Sequence, residues 1–188
     1  MHKIDRRDLL GEQLTLIPLN LNNYSDDYVD WLNDPEVNRY LESRFSKITN
    51  NMIKEYIQKN NSNNNTLLYG IFYNKNNRHV GNIKIGTVNW NHYFSEIGYF
   101  IGDKNLWGKG LATEAIFLAT NFALHDMKLV KCKAGVYSNN IGSIRALEKV
   151  GYILEGKCNN EFIGPNGRED HLIYGISKQE LKINKSGT

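Results

Sequence analysis

The stretch Gly102-Asp103-Lys104-Asn105-Leu106-Trp107-Gly108-Lys109-Gly110-Leu111-Ala112-Thr113-Glu114-Ala115 decides how the rest of the sequence is interpreted. It follows a strand-like run and continues into apolar residues at helical spacing, which predicts a strand, a glycine-containing loop and a helix. Such a loop directs several backbone N–H groups toward one point, where the helix N-terminus adds about half a positive charge. Gly108 and Gly110 permit close approach because they lack a Cβ atom. The stretch therefore predicts a phosphate or pyrophosphate site.

The spacing of the glycines excludes two common nucleotide-binding loops. A dinucleotide-binding fingerprint needs a third glycine three residues after Gly110, where Thr113 stands instead. A P-loop needs Gly-Lys-Ser/Thr at a spacing that the chain does not have. A tight strand-to-helix turn without a ligand explains the two glycines equally well, so the loop alone leaves both interpretations open.

A second strand and helix follow about thirty residues later, in Asn139-Asn140-Ile141-Gly142-Ser143-Ile144-Arg145-Ala146-Leu147-Glu148-Lys149-Val150-Gly151-Tyr152. Asn140, Ser143 and Leu147 have the spacing i, i+3, i+7, which places them on one helix face. Two parallel strands that each lead into a helix separate at their ends and leave a slot for a linear ligand.

These two motifs carry a resemblance to a known family. Residues 105–112 resemble the acetyl-CoA pyrophosphate loop of the GNAT N-acetyltransferase superfamily, and Asn140-x-x-Ser143 with Glu148-Lys149-Val150-Gly151-Tyr152 resembles its second motif. Trp107-Gly108-Lys109-Gly110 with Ala112-Thr113-Glu114-Ala115 is similar to the ribosomal-protein N-terminal (Rim-type) acetyltransferase branch, as is Trp31-Leu32-Asn33-Asp34-Pro35-Glu36-Val37. The resemblance covers residues 14–177. It implies a GNAT-like acyl-CoA N-acyltransferase fold, an α/β structure whose mixed sheet contains two splayed parallel strands.

The resemblance also implies which residues contact acetyl-CoA, the acetyl donor. Those near the pantetheine arm are Phe100, Ile101 and Gly102, with Asn140 bonding the pantetheine or cysteamine region. Those near the pyrophosphate are Asn105, Leu106, Trp107, Gly108, Lys109, Gly110, Leu111 and Ala112. Asn105 stands where the family usually has Gln or Arg. Because the cradle is mainly backbone N–H, we expect this difference to alter little.

The implied reaction is direct attack of a primary amine on the thioester, which requires a base because a protonated amine has no lone pair. Glu96, on the strand before the loop, is the first candidate, and Glu161 and His92 are alternatives. An exposed carboxylate on a strand is also a common surface feature.

The departing thiolate needs a proton donor, and the family's usual tyrosine on the second helix is replaced by Leu147. Ser143 faces the same slot and is the first substitute, with Tyr137 as the second. Ser143 can equally be a helix residue that bonds a backbone carbonyl.

Residues 31–45 and 161–171 are expected to form the acceptor side, with Trp31, Glu42 and Arg44 as substrate-binding candidates. Three acceptors compete: a protein N-terminus, the amino group of a nucleotide-linked sugar, and a small amine such as an aminoglycoside or a polyamine. The protein N-terminus is favoured by the resemblance. A non-catalytic acyl-CoA-binding module is the rival of a different class, and the leucine at position 147 favours it.

Composition narrows the remaining classes. The 188 residues carry a net charge of only +3 without a basic run, so we expect no nucleic-acid partner. Two cysteines are too few for a disulfide scaffold, and neither an apolar leader after the first charged residues nor a membrane span is predicted, which favours the cytoplasm. The five histidines lack ligand spacing, which predicts no metal site. A monomer and a homodimer both fit the sequence.

The hydrophobic pattern predicts one mixed α/β domain over residues 1–188. The predicted strands cover residues 14–19, 67–73, 79–88, 95–101, 129–136, 152–156 with an extension near Phe162, and 172–176. The first predicted helix begins at Asp26 or Asp27 and ends before Pro35. Three further helices are predicted over residues 50–59, 111 to about 127, and 141–150.

Overall fold

Helices lie on both faces of one eight-stranded sheet with the order β1-β2-β3-β4-β5-β6-β8-β7 in the computed structural model, which describes residues 4–182. The strands are β1 (Leu9–Leu10), β2 (Leu14–Pro18), β3 (Leu67–Tyr73), β4 (Arg78–Ile85), β5 (Phe94–Ile101), β6 (Lys131–Tyr137), β7 (Ile153–Gly164) and β8 (Gly167–Ile176). The helices are α1 (Asp27–Asn33), α2 (Asn50–Asn61), α3 (Leu111–Asn121) and α4 (Ile141–Val150). The ends of the predicted domain, residues 1–3 and 183–188, lie outside the described residues. The prediction about a leader concerns the first residues of the chain, and its beginning therefore also lies outside them.

The predicted order of strands and helices is confirmed, with three local differences. Strand β1 was not predicted, because two residues are too few to show a periodic pattern. The helix predicted to reach residue 127 ends at Asn121, and Phe122–Asp126 continue it as a π-helical turn that keeps the apolar spacing. Asp26 precedes α1 but makes no side-chain cap bond. No helix among residues 4–182 combines the length and the apolar character needed to span a membrane.

Two hydrophobic cores, one on each face of the sheet, explain why β3 is apolar along most of its length. Leu67, Tyr69 and Ile71 pack toward α3 and α4, while Leu68 packs toward α1 and α2. A strand covered on both faces gains from apolar residues at every position, so alternation disappears. The two layers of helices therefore hold the sheet from both sides at β3, β4 and β5.

The sheet opens between β5 and β6, as predicted. These parallel strands pair only at Phe94–Lys131, Ser95–Cys132 and Glu96–Lys133. Beyond Glu96, β5 continues to pair with β4 as far as Ile101, and β6 pairs with β8 as far as Tyr137. A gap therefore opens toward the C-terminal ends of β5 and β6, where the glycine loop and α4 begin.

Candidate functional site

The loop after β5 presents a row of backbone donors at the start of α3. Gly108 and Gly110 have φ angles of 75° and 86°, in the left-handed region that glycine adopts without strain. Within the described chain, the N–H groups of residues 108–113 donate to no protein acceptor, and the first helical bond is from Glu114 N–H to the Gly110 carbonyl. Six such donors beside a helix N-terminus form an anion cradle.

Side chains within the loop fix its shape rather than face the cradle. The Asp103 carboxylate accepts from the backbone N–H of Asn105 at 3.0 Å and from its side-chain amide at 3.1 Å. The Trp107 indole N–H donates to the Ile101 carbonyl at 2.9 Å. Leu106 and Leu111 are buried in the core on the α3 side. The Asn105 side chain thus binds within the loop. We therefore still expect the cradle to depend on backbone N–H groups and little on which side chain stands at position 105.

The segment from Trp31 to Val37 supports this loop from the other face of the sheet. A methyl group at Gly102 would collide with the Trp31 indole, which is 9% exposed and packs against the end of β5. The Lys104 ammonium binds Asp34 at 2.8 Å and Glu36 at 2.9 Å, and its hydrogen bond is the main cause that lowers the pKa of Asp34. Trp31 therefore holds the end of the strand, and its indole does not line the cavity described below.

The beginning of α4 closes the opposite side of the gap. The Asn140 side-chain oxygen accepts from the Ser143 N–H at 3.3 Å, which caps the helix. The Ser143 hydroxyl lies 2.6 Å from the Tyr99 hydroxyl, and Leu147 is fully buried one turn further on. Tyr99 was not predicted. The sequence does signal its orientation, because side chains alternate along β5 and Tyr99 lies on the same face as Ile97 and Ile101, which pack on the α3–α4 side.

Burial governs the ionisation of Tyr99. Desolvation raises the pKa of this phenol well above its ordinary value, and the bond to Ser143 opposes the shift. The Tyr99 hydroxyl therefore stays protonated at neutral pH and can either donate to Ser143 or accept from it.

A cavity of about 460 Å³ lies over β4 and β5, on the face opposite α4. Its lining is Tyr28, Leu32, Leu41, Glu42, Ser43, Ile48, Met52, Ile53, Tyr56, Leu68, Asn82, Lys84, Gly98, Tyr99 and Phe100. Most of these residues are apolar. Because Gly98 and Phe100 belong to the part of β5 that has separated from β6, the cavity adjoins the gap.

Three candidate residues meet where the cavity borders β6. The Tyr137 hydroxyl donates to the Glu42 carboxylate at 3.1 Å, and the Arg44 guanidinium lies 5.7 Å from the Tyr137 ring centre and 4.4 Å from that of Phe45. Desolvation, followed by the bond to Glu42, raises the pKa of Tyr137. The fold thus brings Glu42, Arg44 and Tyr137 together, although the first two were predicted for the acceptor and the third for the thiolate.

Glu96 lies near the gap but outside the cavity lining. It is exposed, pairs with Lys133 at the last rung before the strands separate, and shares a sheet face with Gly98. Ser143 and Tyr99 lie on the other face. His92 stands before β5, at the end of that strand away from the loop. Of the three predicted bases, Glu96 is therefore the one beside the gap.

The β7–β8 hairpin brings together side chains that are far apart in sequence. One ligand atom each from Cys158, Glu161 and His171 lies within 4.8 Å of the others, and Glu161 binds the Nδ1 atom of His171. Asp170, the neighbour of His171 in the chain, accepts instead from Lys157 and from the Asn160 N–H. Adjacent residues of a strand point to opposite faces, which explains why Asp170 and His171 have different partners. The sequence predicted no metal site because its histidines lack ligand spacing along the chain. Such spacing does not detect residues that come together across two strands, as these three do.

Comparison with known proteins agrees with this arrangement. The model of the acetyltransferase (GNAT) domain family matches residues 13–153, and the chain belongs to this family. It is 36% identical over 109 residues to the probable N-acetyltransferase YjcK of Bacillus subtilis, covering 57% of this chain and 60% of that protein. It is 28% identical over 181 residues to the prophage-derived uncharacterized N-acetyltransferase YokL of the same organism, covering 93% and 95%. The family and these relatives identify the chain as an N-acetyltransferase.

Solved structures with low sequence identity share the fold. The spermidine N-acetyltransferase of Vibrio cholerae, in complex with CoA and spermine, is 20% identical with a TM-score of 0.77, covering 89% of this chain and 97% of that one. RimJ of Mycobacterium smegmatis, in complex with CoA-disulfide, is 19% identical with a TM-score of 0.74, covering 90% and 84%. The mixed sheet with one splayed parallel pair is thus the GNAT fold predicted from the sequence.

Proposed function

We propose that the protein transfers the acetyl group of acetyl-CoA directly to a primary amine, without an acyl-enzyme intermediate. The observation that carries this proposal is the row of N–H donors at residues 108–113, which lies where the β5–β6 gap opens. A pyrophosphate fits the donors, and an extended pantetheine arm fits the unpaired edge of β5 at residues 100–102. The side-chain oxygen of Asn140 already caps α4, so its amide nitrogen is the atom that donates to a pantetheine carbonyl.

The acceptor amine enters from the cavity. At its mouth the Glu42 carboxylate binds the ammonium group, and Glu96, on the same sheet face, takes a proton through water. The neutral nitrogen then attacks the thioester carbonyl carbon, a C–N bond forms and the C–S bond breaks. Deprotonation at pH 7 costs roughly 1 kcal/mol for an α-amine of pKa about 8, against roughly 4–5 kcal/mol for a lysine-like amine. A weak base therefore serves an α-amine more easily.

The thiolate leaves toward α4. As the C–S bond breaks, the second proton of the attacking nitrogen reaches the sulfur through the Ser143 hydroxyl, which gives one proton and takes up another, while the Tyr99 phenol, 2.6 Å away, holds that hydroxyl in place. Tyr137 is the weaker candidate, because its hydroxyl already donates to Glu42. A half-buried Tyr–Ser pair beside the gap restores a proton donor where Leu147 replaces the usual tyrosine, which disfavours the non-catalytic binding module.

A protein N-terminus is the acceptor that we propose within this reaction, as in the Rim-type branch. Support comes from the segment Trp31 to Val37, which contacts the cofactor loop through Gly102 and Lys104, and from the shared fold with RimJ. The remaining expectations, a cytoplasmic protein that acts as a monomer or homodimer without nucleic acid or membrane, stay predictions.

Thiol release from acetyl-CoA tests the proposal, with a panel of short peptides with Ala or Ser termini, nucleotide-linked amino sugars, aminoglycosides and polyamines. We expect turnover with the peptides. Glu96→Gln should lower kcat at pH 7 by about 100-fold and recover partly at high pH, because general-base catalysis contributes about that factor. Glu42→Gln should mainly raise the KM of the amine. Glu55→Gln, on the exposed side of α2, is the matched control. Tight acetyl-CoA binding without turnover of any amine would instead identify a binding module.

A further inference from the structure

Hydrogen-bond donors in the acceptor cavity lack partners. The Asn82 side chain is 3% exposed, and its amide nitrogen has only the Tyr28 hydroxyl beside it and forms no well-aligned hydrogen bond among the described residues; the Ser43 hydroxyl is likewise buried and unpaired. The Lys84 ammonium has no carboxylate within 4.0 Å in the described chain and lies 5.9 Å from the centre of the Tyr56 ring. A buried donor without a partner is costly, so such groups point to a ligand that accepts from them.

A chain of hydrogen bonds fixes the direction of the Asn82 amide. The backbone N–H of Ser25 donates to Nδ1 of His79 at 3.0 Å, so the proton of the neutral ring is on Nε2. Nε2 then donates to the Asn82 side-chain oxygen at 3.0 Å, which turns the amide nitrogen toward the cavity. Desolvation lowers the pKa of His79 and keeps the ring neutral at pH 7. Tyr28, beside this amide, is protonated because burial raises the pKa of its phenol.

The positions of Asn82 and Lys84 give a distance from the reacting centre. Lys84 pairs with Gly98 and Asn82 with Phe100, so both stand one strand away from the free edge of β5. Since neighbouring strands are about 4.8 Å apart, a group held by them is roughly 5–8 Å from an amine at the gap. On this face of the sheet the β5 residues between these points are Gly98 and Phe100, which carry no polar side-chain atom.

We propose that the acceptor is a primary amine that carries an anionic group, such as a carboxylate, at the far side of an apolar spacer. Lys84 and the Asn82 amide bind the anionic group, and the amine lies at the Glu42 end. Among protein N-termini, this chemistry selects one with an acidic side chain near the amine. A polycation is disfavoured, because its second ammonium would lie beside Lys84. The inference rests on the proposed acetyl transfer and names its acceptor class.

Three amines of equal length test the inference in the thiol-release assay: 6-aminohexanoate, hexylamine and 1,6-diaminohexane. We expect kcat/KM to be at least about tenfold higher for 6-aminohexanoate than for either other amine, the factor that a charge-assisted hydrogen bond supplies. Lys84→Met should remove most of this preference, while Lys84→Arg should retain it. Lys54→Met, on the exposed face of α2, should behave as the wild type.

Calorimetry separates failure of the inference from failure of the proposed reaction. CoA should bind wild type and Lys84→Met with the same affinity, and 6-aminohexanoate should bind the wild-type CoA complex but not that of Lys84→Met. Equal kcat/KM for the three amines, or an unchanged preference in Lys84→Met, would overturn the inference while acetyl transfer stands. If CoA binds but no amine is acetylated, the proposed reaction is wrong, and 6-aminohexanoate binding then decides the inference alone.

Discussion

Gly110 shows how one backbone conformation shapes the proposed phosphate site. Its φ of 86° lets the chain turn from the loop into α3, so that consecutive N–H groups converge. A Cβ atom there would meet only the Gln13 side chain, at 3.8 Å, so space does not require glycine. The requirement is conformational, because residues with a side chain rarely adopt this region.

Gly110→Ala is therefore expected to weaken acetyl-CoA binding by an order of magnitude or more, because relief of about 1–2 kcal/mol of backbone strain rotates the N–H groups away from the pyrophosphate. Isothermal calorimetry measures the loss. Gly167→Ala is the matched control, since Gly167 also has a positive φ, 121°, with no heavy atom within 4 Å of an added Cβ, but lies in the β7–β8 turn. Equal affinities for the two variants would contradict the cradle.

Tyr99 acts through Ser143, and its removal should separate chemistry from binding. Tyr99→Phe deletes only the hydroxyl, so we expect kcat to fall about tenfold with the KM for acetyl-CoA unchanged, because a buried proton donor loses its partner. Ser143→Ala combined with Tyr99→Phe should cost no more than Ser143→Ala alone. Tyr152→Phe removes a similar buried bond, to Thr120 at 2.8 Å, and should leave kcat unchanged. Additive losses in the double variant would argue against the pair.

Strand β5 serves three purposes because side chains alternate along a strand. Gly98 and Phe100 face the acceptor cavity, Tyr99 and Ile101 face the α3–α4 side, and the free edge beyond Glu96 is left for the cofactor. In the proposed reaction the acceptor and the proton donor thus approach the thioester from opposite faces of one strand. This geometry lets the amine enter as the thiolate leaves.

The N-cap residue of helix α4, Asn140, has two polar side-chain atoms with different expected functions: the oxygen caps the helix, and the amide nitrogen is proposed to contact the cofactor. Asn140→Asp keeps the oxygen that accepts from Ser143 but removes the amide donor, so stability should be unchanged while the KM for acetyl-CoA rises severalfold. Asn140→Ala should in addition lower the free energy of unfolding by about 1 kcal/mol. Chemical denaturation and steady-state kinetics measure the two effects. A wild-type KM for Asn140→Asp would show that the amide does not contact the cofactor.

At the scale of the whole molecule, a buried histidine couples stability to pH. The folded-state pKa of His79 is lowered, mainly by desolvation, so the neutral ring stabilises the fold above the ordinary pKa of about 6.5, and this stabilisation is lost as the pH falls toward the folded-state pKa. A tenfold difference in proton affinity between the unfolded and the folded chain corresponds to about 1.4 kcal/mol. The free energy of unfolding should therefore decrease between pH 7.5 and 5.

Denaturant unfolding of His79→Gln measures this contribution. The variant should show a flatter dependence on pH in that range than the wild type, while His92→Gln, in an exposed loop, should match the wild type. Identical slopes for His79→Gln and wild type would contradict the assignment. Because His79 also orients Asn82, amine binding should weaken over the same range.

The two halves of the sheet are joined at only three paired positions of β5 and β6, and the site lies where they part. Local sequence determined much of this arrangement. Apolar periodicity, turn residues and the glycines at positions 108 and 110 act through neighbours in the chain, so the order of elements and the family could be predicted from the sequence, and the loop proposed to bind the cofactor could be located.

What only the tertiary structure decided depends on residues that are distant in sequence. Trp31 appeared from its motif to face the acceptor but packs on Gly102; Tyr99 gained its role from Ser143, 44 residues away. The cavity that joins Lys84 and Asn82 to Glu42 combines helices and strands from the first hundred residues. Periodicity shows which face a residue occupies, but not which residues of other elements pack against that face. The loop proposed to bind the cofactor was therefore encoded locally, whereas the proposed acceptor side was set by packing.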